Sequence, residues 1–448
     1  MGMRLKINRF SLIFAWASAL AGLAGCAPSQ DVPNPSTGRF DARSYVAVGD
    51  GYGSGYAEGR LTRTGQRNSY PALLARQLRL AGAEAVFPQA LLAEGSPAIY
   101  AGPDCSSPQP VPQFGPRAAA LPQDLTVPGL RLADAETADY GNAARPGGFN
   151  PYFERLLPTP NASTTYLQAV TAVAPAATFF TYFAGLDDIL PFLRSGGTCG
   201  RPPTAATLNS RAERLLDQLT AGGRRGIVAE IPPLVQARSE NGVDIKELTF
   251  PLLQLAAAVQ KKFQTPTDTA RLYITNSAPG VGVEAVDETQ YVLTGAVARI
   301  GLVTPVVVNG VTLQLPYGRD IRNPLVNADV LDADEARAVD ALIFSYNAAL
   351  RRLATTKYRL PSVEPGNTTT TTLKLGNAVF SKVARGLAVG GVQYSSVPVS
   401  GGIFSSDLYS FTPRGNGLLA NAFISALNTA YGANIPFVDI NTLPTTAQ

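Results

Sequence analysis

The chain has 448 residues, 45% hydrophobic and 16% charged, which is enough apolar material for a sizeable core and excludes a disordered or fibrous protein. The formal charge is +4, and without Arg4, Lys6 and Arg9, which fall in an amino-terminal leader, 34 basic residues face 33 acidic ones, so nothing electrostatic argues for nucleic acid. No residue is histidine, which removes the usual proton shuttle near neutral pH and the commonest metal ligand, and excludes a hydrolase that relies on a histidine base.

Residues 1–9 are short and basic, residues 10–24 (FSLIFAWASALAGLA) form an apolar run, and Gly25 and Cys26 follow. The run is too short to span a bilayer comfortably and ends in small residues, the pattern of a cleaved secretory leader. Leu23-Ala24-Gly25-Cys26 resembles the bacterial lipobox. That resemblance implies cleavage before Cys26 and acylation of Cys26 through a diacylglycerol thioether and an amide-linked chain. Several acyl chains, at roughly 0.8 kcal/mol per buried methylene, make such an anchor effectively permanent. Residues 27–37 (APSQDVPNPST) have little to bury and read as a tether. The expected organisation is a leader at 1–25, a lipidated Cys and flexible tether at 26–43, and one domain at 44–448. The membrane, reached through Cys26, is the expected partner, and the bacterial outer membrane the expected location.

Within the domain, residues 44–50 (SYVAVGD), 178–185 (TFFTYFAG), 226–232 (GIVAEIP) and 270–276 (ARLYITN) read as buried strands. Helical patterns lie at 69–80, with Pro71 in the first turn, and at 208–219. A longer one at 332–357 is opened by Asp332 with Glu335 three residues on, and another at 413–431 carries Leu419, Ala422, Phe423, Ala426, Leu427 and Ala430 on one face. Strands alternating with helices predict an α/β fold with a central parallel sheet covered on both faces, with ligands at the carboxyl ends of the strands. The mixed stretch 239–330 and the threonine run 368–372 read as insertions at the rim. Cys105 and Cys199 both lie in Gly/Pro/Ser-rich stretches, and in an oxidising compartment they are candidates for a disulfide, with free thiols as the alternative.

The first strand runs into Gly49-Asp50-Gly51-Tyr52-Gly53, and Asn68-Ser69-Tyr70-Pro71 follows on a helix. Here the chain resembles the SGNH, or GDSL-type, hydrolases, and more narrowly a group of bacterial lipoproteins within them. Three further blocks follow in order: Thr126-Val127-Pro128-Gly129, Gly185-Leu186-Asp187-Asp188, and the segment 406–415 (SDLYSFTPRG). The resemblance covers residues 44–448 and implies a three-layer α/β/α sandwich with inserted segments. It also implies roles by position: Gly51 where the family has its nucleophilic Ser, Gly129 as a backbone oxyanion donor, Asp187 where an Asn donates to the oxyanion, and Asp407 and Ser410 where the acid and the His base stand.

Three of those positions lack the chemistry the family uses. Gly51 has no hydroxyl, Ser410 is no base near neutral pH, and an ionised Asp187 accepts hydrogen bonds but donates none. The expectation is a catalytically inactive envelope lipoprotein whose residual cleft binds a glycan, lipid or protein, with no cofactor and no metal. The alternatives are an active hydrolase of acyl or acetyl esters at a non-standard site, using carboxylates such as Asp50, Asp187, Asp188 and Asp407 or an unplaced nucleophile, and a purely structural envelope component. On the bland reading, Asp50 and Asp188 cap turns, Asp187 and Asp407 are solvated, and Ser54 and Ser69 are turn or cap residues.

Overall fold

In the computed structural model, residues 2, 34–95, 98–99, 117–144, 149–240, 243–277, 280–363 and 386–447 are described. The rest of the leader, Cys26, the tether up to residue 33, Cys105 and the run 368–372 lie outside the described residues. Five short strands build the central sheet: β1 (Tyr45–Gly49), β2 (Asp124–Thr126), β3 (Phe179–Phe183), β4 (Arg225–Ala229) and β5 (Ser362–Val363). Every pairing is parallel and the order is β5-β4-β3-β1-β2. β1 (YVAVG) and β3 (FFTYF) are buried at every position, as continuous apolar runs in a parallel sheet must be. The chain steps outward from β1 to β2 and then back across to β3. The winding therefore reverses between β1 and β3, and a crevice opens at their carboxyl ends.

The helices that position the site are α1 (Gly51–Ser54), α2 (Tyr70–Leu80), α3 (Tyr166–Val173), α4 (Ala205–Thr220), α5 (Ala333–Arg352) and α6 (Pro413–Tyr431). Successive strand residues face opposite sides, so Thr181 and Tyr182 of β3 identify the two faces. On the Thr181 face, the hydroxyl of Tyr70 in α2 lies 3.3 Å from Thr181 Oγ1, and its ring stacks on Phe423 of α6 at 4.6 Å. On the other face, Tyr346 of α5 meets the Tyr182 hydroxyl at 3.2 Å, and α5 packs on α4, which packs on α3. The fold is α/β with helices on both faces of the parallel sheet.

Local signals in the sequence place several helix ends. Asp332 Oδ1 accepts the N–H groups of Asp334 and Glu335, while Glu335 Oε2 accepts the Asp332 N–H, which closes the capping box at the start of α5. At its other end α5 stops at Arg352 rather than continuing to Lys357: residues Leu353–Tyr358 widen into a π turn, ended by Arg359 at φ 54°. α6 is buried well beyond its expected face, because the carboxyl-terminal segment packs on its far side. There Asn421 exchanges two hydrogen bonds with the backbone of Val438.

The run at 270–276 is a correction. Tyr273–Thr275 is extended but pairs antiparallel with Val283–Ala285, outside the central sheet. Leu272 and Ile274 bury instead in a second, smaller cluster with Ala256, Val259, Val292 and Val330. A short apolar run specifies burial but not which sheet it joins. The ordered domain also begins before residue 44, since Phe40 is buried against the Phe179 and Tyr431 rings and the Arg39 N–H bonds the Tyr431 carbonyl. Among the described residues no helix is long and apolar enough to cross a membrane.

Gly226 of β4 lies opposite Phe180, and a Cβ there would come within 2.5 Å of that ring. Gly226→Ala is expected to cost about 1–3 kcal/mol through overpacking. Combination with Phe180→Leu should recover part of that loss in a double-mutant cycle read by urea denaturation.

Candidate active site

β1 ends at Gly49, and the chain turns directly into α1 with Asp50 as its N-cap. Asp50 is fully buried. Its Oδ1 accepts the Tyr52 N–H at 3.2 Å, and its Oδ2 accepts the N–H groups of Gly185, Leu186 and Asp187 at 3.1, 2.9 and 3.3 Å. One side chain thus satisfies donors at the carboxyl ends of both β1 and β3. Burial pushes its pKa up to about 6, against these four N–H groups, which favour the charged form.

Asp187 sits next to it and is 8% exposed, not solvated. Its Oδ2 accepts two backbone hydrogen bonds, from Gly51 N–H and Gly129 N–H, each at 2.8 Å. Gly129 adopts φ +69°, a conformation that favours glycine, in the loop after β2. Burial, and then the adjacent Asp50 charge, push the Asp187 carboxyl well above the usual range, while the Gly51 and Gly129 N–H groups pull the other way. Asp188 turns elsewhere and accepts Leu132 N–H at 2.6 Å and Ala133 N–H at 3.0 Å; burial raises its pKa to about 7. Asp50 therefore caps the turn after β1, as expected, whereas Asp188 holds distant backbone at the start of the turn Leu132–Asp134.

Asp407 and Ser410 meet across a tight turn. Ser410 Oγ donates to Asp407 Oδ2, and the Tyr409 and Ser410 N–H groups bond Oδ1 at 3.2 and 2.8 Å. Gly59 N–H reaches Oδ2 at 3.3 Å, so Asp407 also is engaged rather than solvated. Leu408, at φ 75°, occupies the left-handed region inside this turn. Ser54 Oγ donates to the Gly51 carbonyl at 2.7 Å, a turn role as expected. Ser69 is the N-cap of α2, but its buried Oγ makes no hydrogen bond.

The positions brought together from the sequence are Gly51, Gly129, Asp187 and Ser410. They line one cleft at the carboxyl ends of β1 and β3, enclosing about 660 Å³ including the part open to solvent. Asp407 stands behind Ser410 and is not part of the lining. Tyr56, Tyr409 and Phe411, from within or beside the sequence blocks, also line it, together with Arg131, Leu190 and Arg194, to which the sequence assigned no role. Arg194 ends the one-turn helix Leu190–Arg194 just after the Asp187 block, and its guanidinium lies over the Tyr409 ring at 5.1 Å. No local pattern in the sequence singled it out, because its place depends on the fold bringing Tyr409 beneath it.

Among the described residues no group of three or more His, Cys, Asp or Glu is arranged to hold a metal ion. Both oxygens of Asp50 and of Asp188, and Oδ2 of Asp187, are instead committed to backbone N–H donors. Away from the cleft, Cys199 is disulfide-bonded, and Cys26 and Cys105 lie outside the described residues. Comparison of the chain with protein-family models, with characterised proteins and with solved structures gives no match.

The folded-state pKa values of Asp50 and Asp188 lie above the ordinary value, so these two groups hold more protons in the folded than in the unfolded chain between about pH 4 and pH 7, and it is their contribution that sets the trend there. Stability is accordingly fullest at the acidic end of that window and falls as pH rises through it. Asp187→Asn keeps an acceptor oxygen for Gly51 and Gly129 and removes a buried acid. It is expected to stabilise the protein by about 1 kcal/mol or more above neutral pH and to flatten the decline, as read from thermal melts across the window.

Proposed function

We propose that this chain has an SGNH-type hydrolase fold that has lost serine-hydrolase chemistry, and that it acts as a lipid-anchored envelope protein whose cleft binds a glycan, lipid or protein ligand. The observation that carries this reading is the pair of 2.8 Å hydrogen bonds from Gly51 and Gly129 to Asp187 Oδ2. In the family these two backbone donors face the oxyanion of the acyl-transfer intermediate. Here a carboxylate oxygen of the protein itself occupies their common focus. A substrate oxyanion would have to displace it, and the family's side-chain donor is missing; one such donor is worth roughly 3–4 kcal/mol in hydrolases that have been dissected.

The absence of a nucleophile is linked to the same contact. A Cβ at Gly51 would lie 3.0 Å from Asp187 Oδ2, so a serine there needs Asp187 to give way. Ser410 donates to Asp407 in the place where the family's His would, which supports retention of the acid–base turn without its base. The parallel sheet, the crevice between β1 and β3, and the convergence of the four blocks upon it support the family assignment. Lipidation of Cys26, placement in the bacterial envelope and attachment to the outer membrane are proposed on the leader alone. If Cys26 carries the lipid, Cys105 is the remaining partner for the Cys199 disulfide.

A hydrolase of acyl or acetyl esters that uses carboxylates is the second reading, favoured by the placement of Asp187, its carboxyl raised by burial and by the adjacent Asp50, in an open cleft. A fluorophosphonate probe and a panel of short acyl esters decide between the two. No labelling and no turnover are expected, and turnover abolished by Asp187→Asn or Asp407→Asn would establish the second reading. The combined variant Gly51→Ser, Asp187→Asn, Ser410→His is expected to gain esterase activity and probe labelling, whereas Gly51→Ser alone is expected to gain neither. Mass spectrometry of the membrane-extracted protein is expected to show acyl mass on an amino-terminal Cys26 peptide and a Cys105–Cys199 cross-link lost on reduction.

A further inference from the structure

The cleft differs in character between its floor and its mouth. At the floor, the Gly51 and Gly129 N–H groups already carry the Asp187 carboxylate, so a ligand anion finds no backbone donor there. At the mouth stand two guanidinium groups. Arg194 is exposed, rests on the face of Tyr409, and has no carboxylate within ion-pair distance among the described residues. Arg131 keeps 39% of its side chain exposed, and its Nε reaches Asp134 only at 3.7 Å. The apolar part of the lining includes Leu190, Tyr56 and Phe411, all buried, in contrast to the exposed Arg194.

A largely apolar cleft whose exposed charged groups are two guanidinium groups selects an amphiphile by orientation. A cationic head would meet two like charges at the mouth. A neutral head would leave Arg194 without a charged acceptor and Arg131 with only its long contact to Asp134, and charge-assisted hydrogen bonds are about twice as strong as neutral ones. Resting on the binding-site reading above, we propose that the cleft takes a monoanionic amphiphile, with its acid head held by Arg131 and Arg194 and its apolar tail directed inward over Tyr56 and Phe411. This orientation is the reverse of one that would place an ester carbonyl at Gly51 and Gly129.

The test is calorimetric titration of the full chain carrying Cys26→Ala, so that no attached lipid competes, with hexanoate, hexanol and hexylamine as matched probes. Hexanoate is expected to bind at least about tenfold more tightly than the other two, and added salt should weaken it. Arg194→Gln and Arg131→Gln should each weaken hexanoate about tenfold and leave hexanol unchanged, while Arg194→Lys recovers part of the loss. Thermal melts of each variant establish that the fold is retained, as expected for substitutions at the rim. Equal binding of hexanol and hexanoate overturns the charge selection and leaves the cleft as a binding site. Undiminished hexanoate binding in the Arg131→Gln, Arg194→Gln double variant overturns the assignment of the head, and no binding of any probe overturns the ligand class. The parent reading, tested by probe labelling and ester turnover, stands or falls separately.

Discussion

Asp50 ties together the ends of the two strands between which the sheet reverses its winding. With no bulk water to solvate it, its carboxylate is held by four backbone N–H groups, one from α1 and three from the loop after β3. Those amides would otherwise be buried donors without acceptors, a cost of about 1–3 kcal/mol for each unsatisfied group. The charge and the amides are therefore mutually dependent. The loop that carries Asp187 and Asp188 takes its path because three of its N–H groups must converge on one oxygen.

That path brings a second carboxyl group, Asp187, beside the first. Two acids so close in a buried setting cannot both be ionised without penalty, and the direction of the Asp187 shift follows from burial and from Asp50. The Gly51 and Gly129 N–H groups offset part of it. The relation among the three positions is reciprocal: glycine at 51 leaves room for the Asp187 carboxylate, and the carboxylate satisfies the amide of Gly51. In the proposed lineage, loss of the nucleophile and change of the oxyanion side chain then form one structural event, with the backbone donors kept and given a new acceptor.

The cleft that remains is polarised. Its carboxylates are turned inward to the backbone, and its guanidinium groups stand at the rim, beside the aromatic side chains of Tyr56 and Tyr409. A hydrolase's free energy goes into donors that strengthen as charge develops in a transition state. Here the Gly51 and Gly129 donors are already satisfied by Asp187, and in the proposed binding reading the guanidinium groups at the rim meet a ligand's ground-state charge.

Much of this was legible in the residues one after another. Strand β1, strand β3, the helix starts at Pro71, Asp332 and Pro413, and the four blocks that meet at the cleft all rest on local signals: apolar runs, caps, and short spaced motifs. Strands β2 and β5, three and two residues long, left no such signal. The 270–276 run showed burial without a partner, because pairing is a relation between distant segments. The state of Asp187 and Asp407 was likewise hidden. Each is a polar residue near a loop, solvated by default, and only the fold brings Gly51, Gly129 and Gly59 within hydrogen-bond distance of them. The sequence by itself determined what chemistry is missing, since a residue type that is absent cannot be supplied by folding. Tertiary structure alone decided that the Gly51 and Gly129 amides meet on Asp187, because backbone amides have no identity in the sequence and acquire a role only from the acceptor toward which the chain turns them.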